Sequence, residues 1–303
     1  MTRAKDMEMR EKDKSGTGIK CLDIDDREYP DLLREIPDPP GRLYCLGNTA
    51  LLKKETIAVV GSRKVTEYGE RTAMKLGKIL SEAGVAVVSG LARGVDSASH
   101  RGALEGEGGA IAVMGCGIDV CYPASNLKLW EKVRASGLLL SEYPPGTKAA
   151  KYMFPRRNRI ISGLCRATVV VEAGIHSGSL ITAELAAEQG RTVYAVPGNI
   201  DRVSSFGSNK LIRDGAVPLV LMTDVLEDMG FDSGRDDSDD KRYDQLGEDE
   251  KNIIRLISHG GEMTVDRICA ELHMEPRTVN GIVTVLEMKG LLHVYMGRVF
   301  TEK

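Results

Sequence analysis

The sequence lacks a strong excess of charge of either sign. Its 303 residues carry 41 Lys and Arg against 44 Asp and Glu, a formal net charge of -3. No global electrostatic attraction to nucleic acid or to a membrane surface is therefore expected. The six cysteines have no C-x-x-C spacing, and several lie in apolar runs. We expect no metal site and no cofactor, and any site for a polyanion must be local.

Two motifs are also missing, and each absence argues against a class of protein. Residues 1–18 mix both charge signs and contain no apolar core, so they predict a disordered tail and not a secretory signal peptide. We therefore expect a cytoplasmic protein with no membrane partner. No G-x-x-x-x-G-K-[ST] motif occurs, which argues against a P-loop nucleotidase.

The length and the pattern of apolar residues indicate a large domain followed by a small one. Residues 57–230 alternate short apolar runs with amphipathic stretches, which is typical of a doubly wound, mostly parallel α/β sheet. Seven strands are predicted, at 56–60, 85–89, 110–114, 138–141, 167–172, 192–196 and 218–221. Residues 19–56, rich in proline and acid, are expected to form an irregular lead-in segment.

The end of the chain predicts a second, smaller unit. Residues 231–245 are dominated by Asp and Ser and are interpreted as an acidic linker. Residues 246–303 predict three helices and a hairpin, the arrangement of a winged helix-turn-helix domain. This domain carries seven basic and nine acidic side chains. Because duplex-binding domains are usually basic, the balance favours a protein-contact or regulatory role, while DNA contact stays open.

Glycine-rich loops follow several of the predicted strands. Gly61, Ser62 and Arg63 follow the first strand, and Gly178 and Ser179 open a predicted helix after the fifth. In an open parallel sheet, ligands bind beyond the carboxyl ends of the strands. Each loop alone is ambiguous, because such a glycine often only lets a helix pack. Together the loops predict a groove that binds anions.

A basic run lies between the fourth and fifth predicted strands. Residues 143–166 contain no Asp or Glu and six basic side chains, which are Lys148, Lys151, Arg156, Arg157, Arg159 and Arg166. A helix starting at Pro155 adds its dipole to this charge, and Tyr152 and Phe154 add flat rings. Positive charge combined with stacking rings is typical of single-stranded nucleic acid binding. A solvated basic helix face is the alternative.

Six stretches resemble, in order and spacing, the motifs of the DNA-processing protein A (DprA or Smf) family. They are VGSR, SGLARGVD, GCGIDVCYP, FPRRNRIISGL, VVVEAGIHSGSLITAELAAEQGRTVYAVPGN and GSNKLIRDGA. The resemblance covers residues 19–229 and extends more weakly to the winged helix. It implies a Rossmann-like domain that binds and protects single-stranded DNA without catalysis. It also implies a homodimer that helps to load a RecA-type recombinase onto incoming strands during natural transformation.

The resemblance also implies which residues form the DNA site. Arg63 and Lys151 would contact phosphate and Phe154 would stack on a base. The remaining implied residues are Gly61, Ser62, Arg156 and Arg159, and the anion argument adds Gly178 and Ser179. This chain has Tyr152 and Met153 where family members commonly have a small residue and a glycine.

A second hypothesis is a Rossmann-like hydrolase of nucleotide N-glycosidic bonds. Glu184 is its candidate carboxylate, with Glu172 or His176 near it. Such enzymes carry a Gly-Thr pair four and three residues before the glutamate, whereas this sequence has Leu180 and Ile181. The missing pair favours the binding protein, since fold analogy alone does not establish chemistry.

Overall fold

The computed structural model describes residues 18–231, 246–289, 291–295 and 297–300. Contacts divide the chain into two compact units, Met1–Ser233 and Gly234–Lys303. The predicted tail lies outside the described residues except for Gly18, and the predicted acidic linker lies outside them except for Phe231. Among the residues described, no helix combines the length and the apolar character needed to cross a bilayer.

The first unit is built on a nine-stranded sheet. Its strands are β1 (Ile19–Asp23), β2 (Arg42–Gly47), β3 (Thr56–Val60), β4 (Ala86–Ser89), β5 (Ala110–Val113), β6 (Leu138–Ser141), β7 (Ala167–Val170), β8 (Thr192–Ala195) and β9 (Val217–Pro218). They are ordered β1-β2-β6-β5-β4-β3-β7-β8-β9. All neighbours from β6 to β9 pair in parallel. The predicted mostly parallel α/β fold is confirmed.

The segment before β3 belongs to this sheet, so the expectation of an irregular lead-in was wrong. β1 pairs antiparallel with β2, from Ile19 opposite Leu46 to Asp23 opposite Arg42. β2 then pairs antiparallel with β6. Prolines and acidic residues concentrate between the two strands, in residues 24–41, and their loop signal obscured the short strands on either side.

The last strand also differs from its prediction. β9 pairs with β8 over only two residues, Val217 and Pro218. The next apolar residues leave the sheet because the backbone N–H groups of Val220 and Leu221 donate to the Asp224 carboxylate, at 3.0 and 2.7 Å. The predicted strand at 218–221 is therefore irregular after Pro218.

Helices cover both faces of the sheet. They are α1 (Asp31–Arg34), α2 (Glu67–Glu82), α3 (Val95–Ala103), α4 (Leu127–Ser136), α5 (Met153–Gly163), α6 (Gly178–Glu188), α7 (Phe206–Arg213) and α8 (Asp224–Asp228). Alternate residues of β3 point to opposite faces. Ile57 and Val59 share a core with α2, α3 and α4, whereas Ala58 and Val60 share another core with α5 and α6.

The strand order reverses direction between β3 and β7. From β3 the chain runs outward through β4, β5 and β6, and from β7 it runs the other way through β8 and β9. Loops that leave two neighbouring strands in opposite directions open a crevice at the carboxyl edge of the sheet. The fold therefore places its crevice beyond Val60 and Val170.

Within its described residues, the second unit contains three helices and a three-stranded sheet. Its elements are α9 (Glu248–Gly260), β10 (Met263–Thr264), α10 (Val265–Leu272), α11 (Pro276–Met288), β11 (His293–Tyr295) and β12 (Arg298–Phe300). β12 pairs antiparallel with both β10 and β11. The Thr264 hydroxyl caps α10 by accepting from the N–H of Arg267 at 3.3 Å, and Pro276 opens α11. The predicted winged helix is confirmed.

Candidate functional site

An open cleft of about 790 Å³ lies at the crevice between the ends of β3 and β7. Loops after both strands, one side of α5 and the first turn of α6 line it. Seven of the nine residues predicted for the site line this cleft, and they are Gly61, Ser62, Arg63, Lys151, Phe154, Gly178 and Ser179. The structure thus brings together residues from three separate segments of the chain.

The loop after β3 is held tightly against β7. A Cβ on Gly61 would lie 2.5 Å from Val95 Cγ2 and 2.8 Å from the Glu172 carbonyl oxygen, so only glycine fits there. The N–H of Ser62 donates to that same carbonyl at 2.7 Å. These contacts fix the turn, and Arg63 follows it with an exposed side chain at the mouth of the cleft.

An aromatic pair forms one wall of the cleft. The ring centroids of Phe154 and Tyr122 are 5.0 Å apart, with planes inclined by 31°. The Arg63 guanidinium carbon lies 5.8 Å from the Phe154 centroid, within cation–π range. Tyr122 is 45% exposed and was not predicted as a site residue. The one signal for it was its place in the loop after the third predicted strand.

The first turn of α6 forms the opposite side. Ser177 precedes the helix, and its hydroxyl accepts from the N–H of Ser179 at 3.4 Å. No described atom lies within 4 Å of a Cβ built on Gly178, so the backbone there is open to the cleft. The N-terminus of a helix carries a partial positive charge and free N–H groups, which favour an anion.

Arg157 also lines the cleft, although the sequence did not single it out from the basic run. The residue is 4% exposed. Burial lowers its pKa to about 10; the negative charge of Asp96 opposes this shift and the positive charge of Arg63 adds to it. The guanidinium therefore stays charged at neutral pH inside the cleft floor.

Arg156 and Arg159 do not line the cleft, although they were predicted with the other residues. Arg159 is buried, with Nε donating to Asp38 at 2.8 Å and Nη2 donating to Glu142 at 2.7 Å. The Arg156 side chain is 56% exposed, and its Nε lies 3.8 Å from Glu142. The carboxylates that pair with these arginines, Asp38 and Glu142, thus lie outside the basic run.

The carboxylates of the hydrolase hypothesis do not line the cleft. Glu172 is buried and accepts from the Thr66 hydroxyl at 2.6 Å. Glu184 is exposed on α6 and lies outside the cleft lining. Of the three residues named for that hypothesis, His176 alone lines the cleft. Neither carboxylate of that hypothesis therefore shares the cleft with Arg63, Lys151 and Phe154.

These features define a Rossmann-like protein with a cationic cleft at the switch point of its sheet, joined in one chain to a winged-helix domain. Residues 20–230 match the family model of DNA recombination-mediator protein A, and residues 238–297 match the DprA winged helix domain. The chain belongs to the DNA recombination-mediator protein A family.

Two curated relatives match most of the chain. The DNA processing protein DprA of Streptococcus pneumoniae is 46% identical over 203 residues, covering 67% of this chain and 72% of that protein. The putative DNA processing protein DprA of Mycobacterium tuberculosis (strain H37Rv) is 37% identical over 298 residues, covering 93% of this chain and 76% of that protein.

Two solved structures are similar to most of this chain. The X-ray structure of DprA from Streptococcus pneumoniae matches with a TM-score of 0.66 and 42% identity, covering 75% of this chain and 78% of that one. A structure of DNA processing protein A from Helicobacter pylori, described for its single-stranded DNA binding mode, matches with a TM-score of 0.65 and 28% identity. It covers 71% of this chain and 96% of that one.

Proposed function

We propose that this protein binds single-stranded DNA in the cleft and performs no catalysis there. The observation that carries the proposal is the convergence of Arg63, Lys151 and Phe154 on one cleft at the switch point. Proteins commonly bind a single strand with cationic side chains along its phosphate backbone and an aromatic ring that stacks on its bases. The binding mode named for the Helicobacter pylori relative supports the same ligand.

Each cleft residue has a distinct role in this proposal. Arg63 and Lys151 contact phosphates, and Phe154 stacks on a base. Gly61 and Ser62 hold the turn that positions Arg63. Gly178 and Ser179 present backbone N–H groups at the start of α6 to a further phosphate.

The wider role is proposed from the family to which the chain belongs. We propose that the protein acts as a homodimer in the cytoplasm, where it protects incoming strands and helps to load a RecA-type recombinase during natural transformation. The family's description as a recombination mediator supports this role.

The test is a binding titration of purified protein with labelled oligothymidine and with duplex, across a range of salt. If about four to six phosphates are engaged, the log–log salt slope is about -3 to -4, from roughly -0.7 for each phosphate of a single strand. Arg63→Ala and Lys151→Ala each make the slope shallower by about 0.7. Phe154→Ala weakens binding by about 1–3 kcal/mol at every salt concentration and leaves the slope unchanged.

Arg166→Ala is the matched control from the same basic run. Arg166 precedes β7, at the opposite edge of the sheet, and pairs with Glu55 at 3.5 Å. Its replacement leaves affinity and slope unchanged. A slope near zero for the unmodified protein would reject the proposal. Base release from nucleoside monophosphates that disappears in Glu184→Gln would establish the hydrolase in its place.

A further inference from the structure

The floor of the cleft contains a guanidinium whose hydrogen-bonding capacity the fold does not use. Arg157 Nε and Nη1 are buried, and within the described part of the chain neither has a hydrogen-bond partner. Buried polar groups in folded proteins are nearly always hydrogen-bonded, so such an exception calls for an explanation. Here the unused donors belong to a charged group that lines a cleft.

The fold makes room for this guanidinium. A Cβ built on Gly90, the residue after β4, would lie 1.6 Å from Arg157 Nη1 and 2.4 Å from its Cζ. Nη1 and Cζ therefore lie directly against the bare backbone at the carboxyl edge of the sheet. Any larger residue at position 90 would displace the guanidinium.

The neighbouring carboxylate of Asp96 offsets the positive charge of Arg157 but accepts no hydrogen bond from its Nε or Nη1. Asp96 is buried, and its Oδ2 accepts from the N–H groups of Gly90 and Ala92 at 3.1 and 3.3 Å. Those bonds tether the carboxylate to the backbone of the loop. It attracts Arg157 through space, while Nε and Nη1 remain unpaired. The positive charge of Arg63 also acts on Arg157 and lowers the pKa of its guanidinium further.

We propose that Arg157 binds one phosphate of the DNA strand at the floor of the cleft, beneath the contacts made by Arg63 and Lys151. This inference rests on the proposed function and adds a buried binding residue to it. The guanidinium is a planar fork that matches two phosphate oxygens, and such charge-assisted pairs are the strong ones. A phosphate at the floor accepts from the edge of the guanidinium that faces the cleft, and so supplies an acceptor that the protein withholds.

The carboxylate of Asp96 competes with this phosphate for the same cation. Removal of the Asp96 carboxylate is therefore expected to strengthen DNA binding. If the Asp96–Arg157 pair served only the fold, its removal would weaken DNA binding. The two residues thus give changes of opposite sign if Arg157 is a ligand-binding residue, and changes of the same sign if both serve only the fold.

The experiment measures the dissociation constant for oligothymidine across salt for Arg157→Met, Asp96→Asn and the double variant, with Arg166→Met as the control. We expect Arg157→Met to weaken binding about tenfold and to make the salt slope shallower by about 0.7, the share of one phosphate. We expect Asp96→Asn to strengthen binding about threefold. The double variant binds as weakly as Arg157→Met, and the control binds like the unmodified protein.

Thermal unfolding monitored by circular dichroism shows which variants are folded. If Arg157→Met unfolds because Asp96 is left buried and unpaired, the double variant, which lacks both charges, is compared with Asp96→Asn instead. An unchanged affinity and slope in the folded Arg157 variant would overturn the inference, as would a loss of affinity in Asp96→Asn. Either result leaves the proposed function standing, whereas failure of the unmodified protein to bind the strand refutes the function itself.

Discussion

Replacing Gly115 with alanine tests how the ring of Phe154 is positioned for stacking. A Cβ built on Gly115 meets Phe154 Cδ1 at 2.8 Å and Cε1 at 3.1 Å, against an ordinary contact distance of 3.4 Å or more. The backbone of Gly115 is outside the left-handed region, so alanine is tolerated there. The side-chain ring must therefore give way, and it moves by about 0.6 Å or more to restore ordinary contact.

The size of the effect follows from that displacement. A gap of about 0.5–1 Å forfeits roughly a quarter to a half of a dispersion contact. One stacked base contributes about 1–3 kcal/mol, so Gly115→Ala should weaken binding by about 0.3–1.5 kcal/mol, or roughly twofold to tenfold. The salt slope stays unchanged, because no charge is altered.

Fluorescence anisotropy with labelled oligothymidine at fixed salt measures this change. Gly41→Ala is the control, since a Cβ there meets no described atom within 4 Å. In the Phe154→Ala background, Gly115→Ala should have no further effect, because the ring that it displaces is gone. Full additivity of the two substitutions, or unchanged binding of Gly115→Ala alone, would refute this account of the cleft wall.

Two further predictions concern stability. Arg159→Met removes the cation that is hydrogen-bonded to Glu142 and leaves only Arg156, at 3.8 Å. The free energy of unfolding in a urea titration then falls by about 3 kcal/mol; the folded variant binds DNA normally, and weakened binding would show that Arg159 contacts the strand. Burial lowers the pKa of His100 from 6.5 to about 4. The unfolded state therefore binds the proton first, and stability falls by up to about 3 kcal/mol as pH drops from 6.5 to 4. His100→Gln should flatten that part of the curve of unfolding free energy against pH, and an equally steep curve would contradict the assignment.

Much of the first unit was predictable because its patterns are local. Runs such as residues 56–60 are apolar throughout, as strands covered on both faces must be, and the observed β3 has the same bounds. The carboxyl ends of parallel strands meet at one edge, so the loops holding Gly61 and Gly178 had to converge there. The short strand β1 lacked such a signal, because its pairing with β2 spans a proline-rich loop.

The basic run shows where local patterns stop being informative. All its arginines have the same chemistry in the sequence, and helical periodicity alone does not say which acidic residues approach from elsewhere. The structure pairs Arg159 with Asp38, a residue 121 positions away along the chain. It buries Arg157 on the backbone of Gly90 and leaves Arg156 half exposed.

By itself, the sequence determined the parallel sheet, the winged helix and the edge at which the site lies, because burial patterns and strand direction are written along the chain. Only the tertiary structure decided which cations face the cleft, and it alone brought Tyr122 beside Phe154. Contacts between distant segments set the surroundings of a charge or a ring, and those surroundings determine whether an arginine binds a carboxylate of its own protein or remains available for a phosphate.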